Sequence, residues 1–199
     1  MALAAILLAA AAPPFGDAPL ALLPWLGEDT LIEYQIEQLL LAGVRDIEVV
    51  LGDGADAIIP LIARENVEPI VDGGWRASAA SSLRAGAAAV LRGTSAALIA
   101  DIAEPRPAAM YRALIDAHVS APAAITRPNY GDTPGAPVVV DAATLAEVRN
   151  LAGASASLDA IFERHAAAIA SVRFDTPLVL LRIDSAEAYE RARALFAAH

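Results

Sequence analysis

The feature that most constrains this chain is how it opens. Leu3 to Leu8 is a short, continuous apolar run, and no charged residue precedes Asp17. Apolar on both faces, it reads as a strand of a parallel sheet covered by helices on each side. At Thr30-Leu31-Ile32-Glu33 the sequence starts a helix with a capping box, in which threonine and glutamate serve each other's backbone N–H. A loop between a first strand and a first helix is where α/β proteins place a phosphate cradle. Such a cradle grips with closely approaching backbone N–H groups and is therefore rich in glycine. Here it contains Ala10, Pro13 and Pro14, so the architecture is present and most of its grip is missing.

The same alternation continues along the chain. Strands are expected at Asp46 to Leu51, Val67 to Val71, Ser95 to Ala100, Ala123 to Thr126, Pro137 to Val140, Val172 to Phe174 and Leu178 to Ile183. Helices are expected after Thr30 up to the stop at Gly43, near Ala55 to Arg64, and over Ser78 to Leu91. Further helices are expected from Pro107 to about Val119, and over Ala142 to Leu151, Leu158 to Ala168 and Ser185 to Ala198. Pro128 to Gly135 reads as a turn-rich loop. Strands alternating with helices over short connections imply a layered α/β domain with a mostly parallel sheet, a single domain over residues 1–199. Its ligand site belongs at the carboxyl ends of the strands, in the loops after Leu8, Leu51, Val71 and Ala100.

Composition removes several functions. Hydrophobic residues make up 57% of the chain, yet no stretch reaches the roughly 18–20 uninterrupted apolar residues that span a bilayer. Ala2 to Ala12 has the apolar core of a signal peptide but no preceding Lys or Arg, and a buried strand explains it better. A cytoplasmic protein is expected. Cysteine is absent, which excludes disulfides, thiolate nucleophiles and cysteine metal sites. The formal net charge is −10, and all 14 basic residues are arginines. An acidic, lysine-free surface argues against nucleic-acid binding, which needs basic patches to displace counterions. The alanine-rich composition points to self-association or a protein partner.

In their order, the motifs resemble the MobA-like nucleoside triphosphate transferases, a family that includes the enzymes attaching CMP or GMP to the molybdenum cofactor. Members open with a pattern like I-L-A-A-G-x-S-x-R-M-G, then a lysine, then L-L-P. Ile6 to Gly16 aligns with it without a gap, and Leu22-Leu23-Pro24 matches the closing triplet. Leu41-Ala42-Gly43-Val44 and Val49-Val50-Leu51-Gly52 are similar to the family's first helix end and second strand. Trp75 with Ser81-Ser82-Leu83-Arg84-Ala85-Gly86 resembles its W…G-x-x-S-S-L-R-A-G segment. Asp101 stands at the family's D-Q-P aspartate, Gly135-Ala136-Pro137 at its G-H-P, and Ile183 to Tyr189 at its I-D-T-P-E-D-Y.

The resemblance implies a three-layer α/β fold of the nucleotidyltransferase type. It also implies a CTP or GTP site formed by Ala9, Ala10, Gly16, Ser82 and Asp101, with Mg²⁺ on Asp101. The departures fall on the chemistry: the loop glycine is Ala10, the serine Ala12, the arginine Pro14, the lysine Leu20 and the histidine of G-H-P Ala136. Losing one such donor costs about 3–4 kcal/mol in the transition state, and the costs of several need not add. A catalytically impaired or silent member that retains nucleotide or partner binding is therefore expected. The alternative is an active Mg²⁺-dependent transferase moving NMP to a phosphorylated acceptor. Asp101 carries two readings, a hard-cation ligand and the cap of the following turn. Asp184 likewise reads as a second cleft carboxylate or a helix cap. Asp53 and Asp72 read as solvated loop acids, and Arg76 and Arg84 as the nearby cations.

Overall fold

A computed structural model of the chain describes residues 2–152 and 156–198. The first strand, β1 (Leu3–Ala9), is an interior strand of an eight-stranded sheet. Helix α1 (Leu31–Leu41) follows with the expected capping box: Thr30 N–H donates to Glu33 Oε2 at 3.0 Å, and Thr30 Oγ1 accepts from Glu33 N–H. Then come β2 (Ile47–Leu51), α2 (Ala55–Ile62), β3 (Val67–Val71), α3 (Ala79–Ala89), β4 (Ala96–Asp101) and α4 (Ala108–Ser120). The second half holds β5 (Ile125–Tyr130), β6 (Thr133–Pro134), β7 (Val138–Asp141), α5 (Ala142–Arg149), α6 (Leu158–Arg164), β8 (Ile169–Arg173) and α7 (Ala186–Ala197).

The strands run in the order β3-β2-β1-β4-β7-β5-β6, and β8 pairs with β5. β1 is parallel to both β2 and β4, while β7 runs antiparallel to β4 and β5. The order therefore reverses at β1 and β4, whose following loops diverge to open a crevice. Leu8 pairs with Asp101 across that point.

Burial follows the strand period of two. Ala5, Leu7, Val49, Leu51 and Leu98 face one layer of helices, which contributes Leu31 and Leu39 of α1, Tyr111 and Leu114 of α4, and Tyr189 and Phe196 of α7. Ala4, Ile6, Val50, Ala97 and Ile99 face the other, with Leu83, Leu145 and Ile161 of α3, α5 and α6. These three layers are the expected α/β class.

Three local expectations fail for identifiable reasons. Leu178 to Ile183 is not a strand: Pro177–Leu180 is a 3-10 turn, with Pro177 at its start and Thr176 Oγ1 accepting from Leu178 N–H. The carbonyls of Val179 and Leu181 accept hydrogen bonds from Arg106, which supplies the donors a neighbouring strand would have offered. The strand expected at Val172 starts earlier, at Ile169, because α6 stops at Arg164 and a 3-10 turn covers Ala166–Ala168. The segment read as a loop from Pro128 continues β5 to Tyr130 and turns at Gly131, φ +59°, into β6.

Candidate functional site

A cleft of about 590 Å³ opens where the sheet order reverses. One side is the end of β4 and the turn after it. Asp101 is half-buried there; its Oδ1 accepts the N–H of Ala103 at 2.8 Å, and its Oδ2 accepts from Arg182 Nη2 at 3.4 Å. Arg182 Nη1 also donates to Glu104 Oε1 at 2.8 Å. One guanidinium thus spans two carboxylates, fitting the planar fork of arginine.

Beneath this triad lies Arg106, which is 1% exposed. Its Nε donates to Ala136 O at 3.0 Å, Nη1 to Pro105 O and Leu181 O, and Nη2 to Val179 O. It ties the turn after β4 to the cis Ala136–Pro137 loop and to the segment carrying Arg182. Burial holds the Arg106 guanidinium below its ordinary pKa. Burial, and then the charge of Asp101, push the Glu104 carboxyl up. Arg182 is raised: burial opposes its charge, but Asp101 and Glu104 together outweigh burial. Two carboxylates face two guanidiniums, and the cluster is charge-balanced.

Further into the cleft, Arg127 stacks 4.9 Å from the Phe162 ring centroid and donates to Gly135 O at 3.3 Å. Leu8, Ile99, Val138 and Leu158 give this end an apolar lining.

Beside this cleft, on the other side of Arg182, lies the loop after β1. Ala11, Ala12 and Pro14 border a smaller cavity of about 150 Å³ together with Ile102, Arg182 and Asp184. No side chain from Ala9 to Pro14 carries a donor, and Pro13 and Pro14 have no N–H. Ala9 ends β1, and Ala10 packs against the core. Leu20, at the family's lysine position, is 6% exposed within the core. Gly16 has φ +63° with open space where a Cβ would stand, so it serves the turn and makes no close backbone approach.

Of the expected site residues, Asp101 lines the large cleft and Ala9 the small cavity, with Arg182 bordering both; Ala10 packs against the core, and Ser82 lies at neither. Ser82, 5% exposed, donates to Asp72 Oδ2, and Ser81 donates to Asp72 Oδ1, both at 2.8 Å. Asp72 also accepts from Gly74 N–H; it is a buried, fully partnered carboxylate and not a solvated loop acid. Asp53 pairs with exposed Arg76, which lies over Trp75, and Arg84 donates to Leu151 O on the far side of α3. Ser185 caps α7, which leaves Asp184 on the small cavity.

Glu104, Arg106, Arg127 and Arg182 are absent from the sequence expectations. One signal for Arg182 was legible: a charge inside the apolar run Leu178 to Ile183 needs a partner. A divalent ion at Asp101 would need a carboxylate oxygen free to face it, with substrate phosphates and water completing its shell. Both oxygens of Asp101 are engaged, one by the Arg182 guanidinium, which also takes the nearby Glu104 carboxylate. As arranged, these groups do not fit a divalent ion.

An α/β sheet of this order, with a crevice after β1 and β4, defines a nucleotidyltransferase-type protein. The MobA-like NTP transferase domain matches residues 4–172, and the chain belongs to that family. Rv0371c of Mycobacterium tuberculosis H37Rv superposes with a TM-score of 0.83 at 22% identity, covering 97% of this chain and 98% of that one. Its manganese complex superposes at 0.78, also at 22% identity, covering 98% and 99%. A nucleotidyl transferase from Methanothermobacter thermautotroptrophicus matches at 0.82 with 21% identity, over 99% and 98% of the two chains. Nicotine blue oxidoreductase of Paenarthrobacter nicotinovorans is 39% identical over 87 residues, 42% of this chain and 41% of that protein. The chain thus spans under half the length of that curated relative. No helix among the described residues is long and apolar enough to cross a membrane.

Proposed function

We propose that this chain is a catalytically silent member of its family that keeps a nucleotide site in the crevice between β1 and β4. The observation that carries this reading is the donor-free loop from Ala10 to Pro14, whose small cavity still presents the Arg182 guanidinium. Binding requires complementary charge and shape. Turnover also requires stabilisation of the charge that develops on departing pyrophosphate. Arg182 and Arg127 support the first requirement. With Leu20 packed in the core and Pro14 in place of an arginine, nothing on the loop supplies the second.

The ligand class is CTP or GTP, as the family's chemistry implies, and the setting is the cytoplasm. A second reading, an active transferase moving NMP to a phosphorylated acceptor, draws on Asp101 standing at the strand end beside Leu8. Calorimetric titration of CTP, GTP and ATP, with pyrophosphate release followed on the same samples, separates the two. Saturable binding of CTP or GTP with release no faster than a protein-free blank is the expected result. Release above the blank that Asp101→Asn abolishes would establish the active reading. If no nucleotide binds at millimolar concentration, the site has been lost.

A further inference from the structure

We infer that Arg182 is the resident cation of this cleft: its guanidinium bridges Asp101 and Glu104 where a divalent ion would otherwise sit, and the cleft takes nucleotide phosphates without a metal. The inference rests on the nucleotide-binding reading above and adds to it the identity of the group that meets the phosphates.

Three observations converge on Arg182. Its side chain is 53% exposed, while the carboxylates it spans are 29% and 19% exposed, so a ligand reaches the guanidinium before the acids. It borders both the large cleft and the small cavity under the Ala11–Pro14 loop, and so lies between the two spaces a nucleotide would occupy. It also spends only two of its five N–H donors on the acids, leaving donors for phosphate oxygens.

Arg106 cannot take this role, because four of its hydrogen bonds go to backbone carbonyls in the protein interior. What it does is balance the charge. With Arg106 below and Arg182 above, Asp101 and Glu104 are neutralised, and a dication added there would have to displace a guanidinium. A phosphate, by contrast, meets no excess of negative charge.

The test uses Mn²⁺ as the metal probe, its free-ion signal followed by electron paramagnetic resonance. The samples are wild type, Arg182→Lys, Arg182→Gln and the double variant Arg182→Gln with Asp101→Asn. Thermal unfolding of each verifies the fold. Wild type and Arg182→Lys are expected to show no saturable Mn²⁺ binding up to millimolar concentration. Arg182→Gln should gain a site that the added Asp101→Asn removes. In EDTA, CTP should bind wild type and weaken about tenfold or more in Arg182→Gln, the loss expected for a charged hydrogen bond. A wild-type Mn²⁺ site as tight as that of Arg182→Gln, or no site in that variant, overturns the inference, as does CTP binding that appears only with metal. If wild type binds no CTP under any condition, the nucleotide reading and the ligand half of this inference both fall, while the Mn²⁺ comparison still reports whether Arg182 holds the cation position.

Discussion

From Ala10 to Pro14 the wall of the cleft after β1 carries no side-chain donor, whereas the facing wall sets Arg106 and Arg182 against Asp101 and Glu104. The two walls are held by different forces. The first is flanked by burial: Ala4 to Leu7 of β1 are fully covered, and Leu20 turns the family's lysine position into core. Apolar burial is non-directional, so a loop secured this way can lose its functional groups without losing its place. The second wall is secured by directional hydrogen bonds to buried carbonyls, where any vacancy leaves unpaired polar groups. The fold therefore persists on one wall through shape and on the other through chemistry.

That contrast gives graded expectations. Arg106→Leu strands three carbonyls, those of Pro105, Ala136 and Leu181, leaves Val179 O with the Ala136 N–H alone, and should cost about 3–5 kcal/mol in urea unfolding. A loss below 1 kcal/mol would mean water reaches these groups and the second wall is not held as described.

Glu48 is a buried carboxylate with an unpartnered oxygen, lying away from both walls. It is 3% exposed on β2, opposite Glu68 of β3, and its Oε2 has no hydrogen-bond partner. Burial, followed by the charges of Asp46 and Glu68, raises its pKa from 4.5 to about 7. Because the folded pKa is the higher one, the native state holds the proton more tightly. Stability is therefore greatest below the unfolded value and falls as pH rises through about 7. Glu48→Gln should stabilise by up to about 3 kcal/mol at pH 8 and by nearly nothing at pH 4.5, measured by denaturant titration at both.

The two walls also differ in their glycines. A Cβ at Gly135 would run into the carbonyl oxygen of Val179, so Gly135→Ala forces a backbone shift costing roughly 1–3 kcal/mol. A Cβ at Gly16 meets nothing, and only its φ of +63° opposes Gly16→Ala, at about 1 kcal/mol. Calorimetric melting of the pair should keep that order. Smallest of all, Pro14→Arg on the exposed loop should change stability by less than about 0.5 kcal/mol in the same assay.

The sequence made the first wall legible and hid the second. The apolar run from Leu3, the capping box at Thr30 and the motif order are local patterns, and each keeps its meaning in the fold. The loop's losses were visible for the same reason. Arg182 meets Glu104 across 78 residues and Asp101 across 81, and no periodicity in a single sequence reports a pairing of that range. Ser82 and Asp72 show the same limit in reverse. Both carry groups that suit a site, and only the fold reveals that they satisfy each other.

The most direct test of the two-wall account is amide chemical-shift mapping of CTP binding on the intact chain. The account predicts the largest shifts at Asp101 to Ala103, Gly135 to Ala136 and Arg182 to Ile183, with smaller ones at Ala10 to Gly16. The largest shifts falling on Ala10 to Gly16 would show that the loop still grips phosphate, and would contradict it.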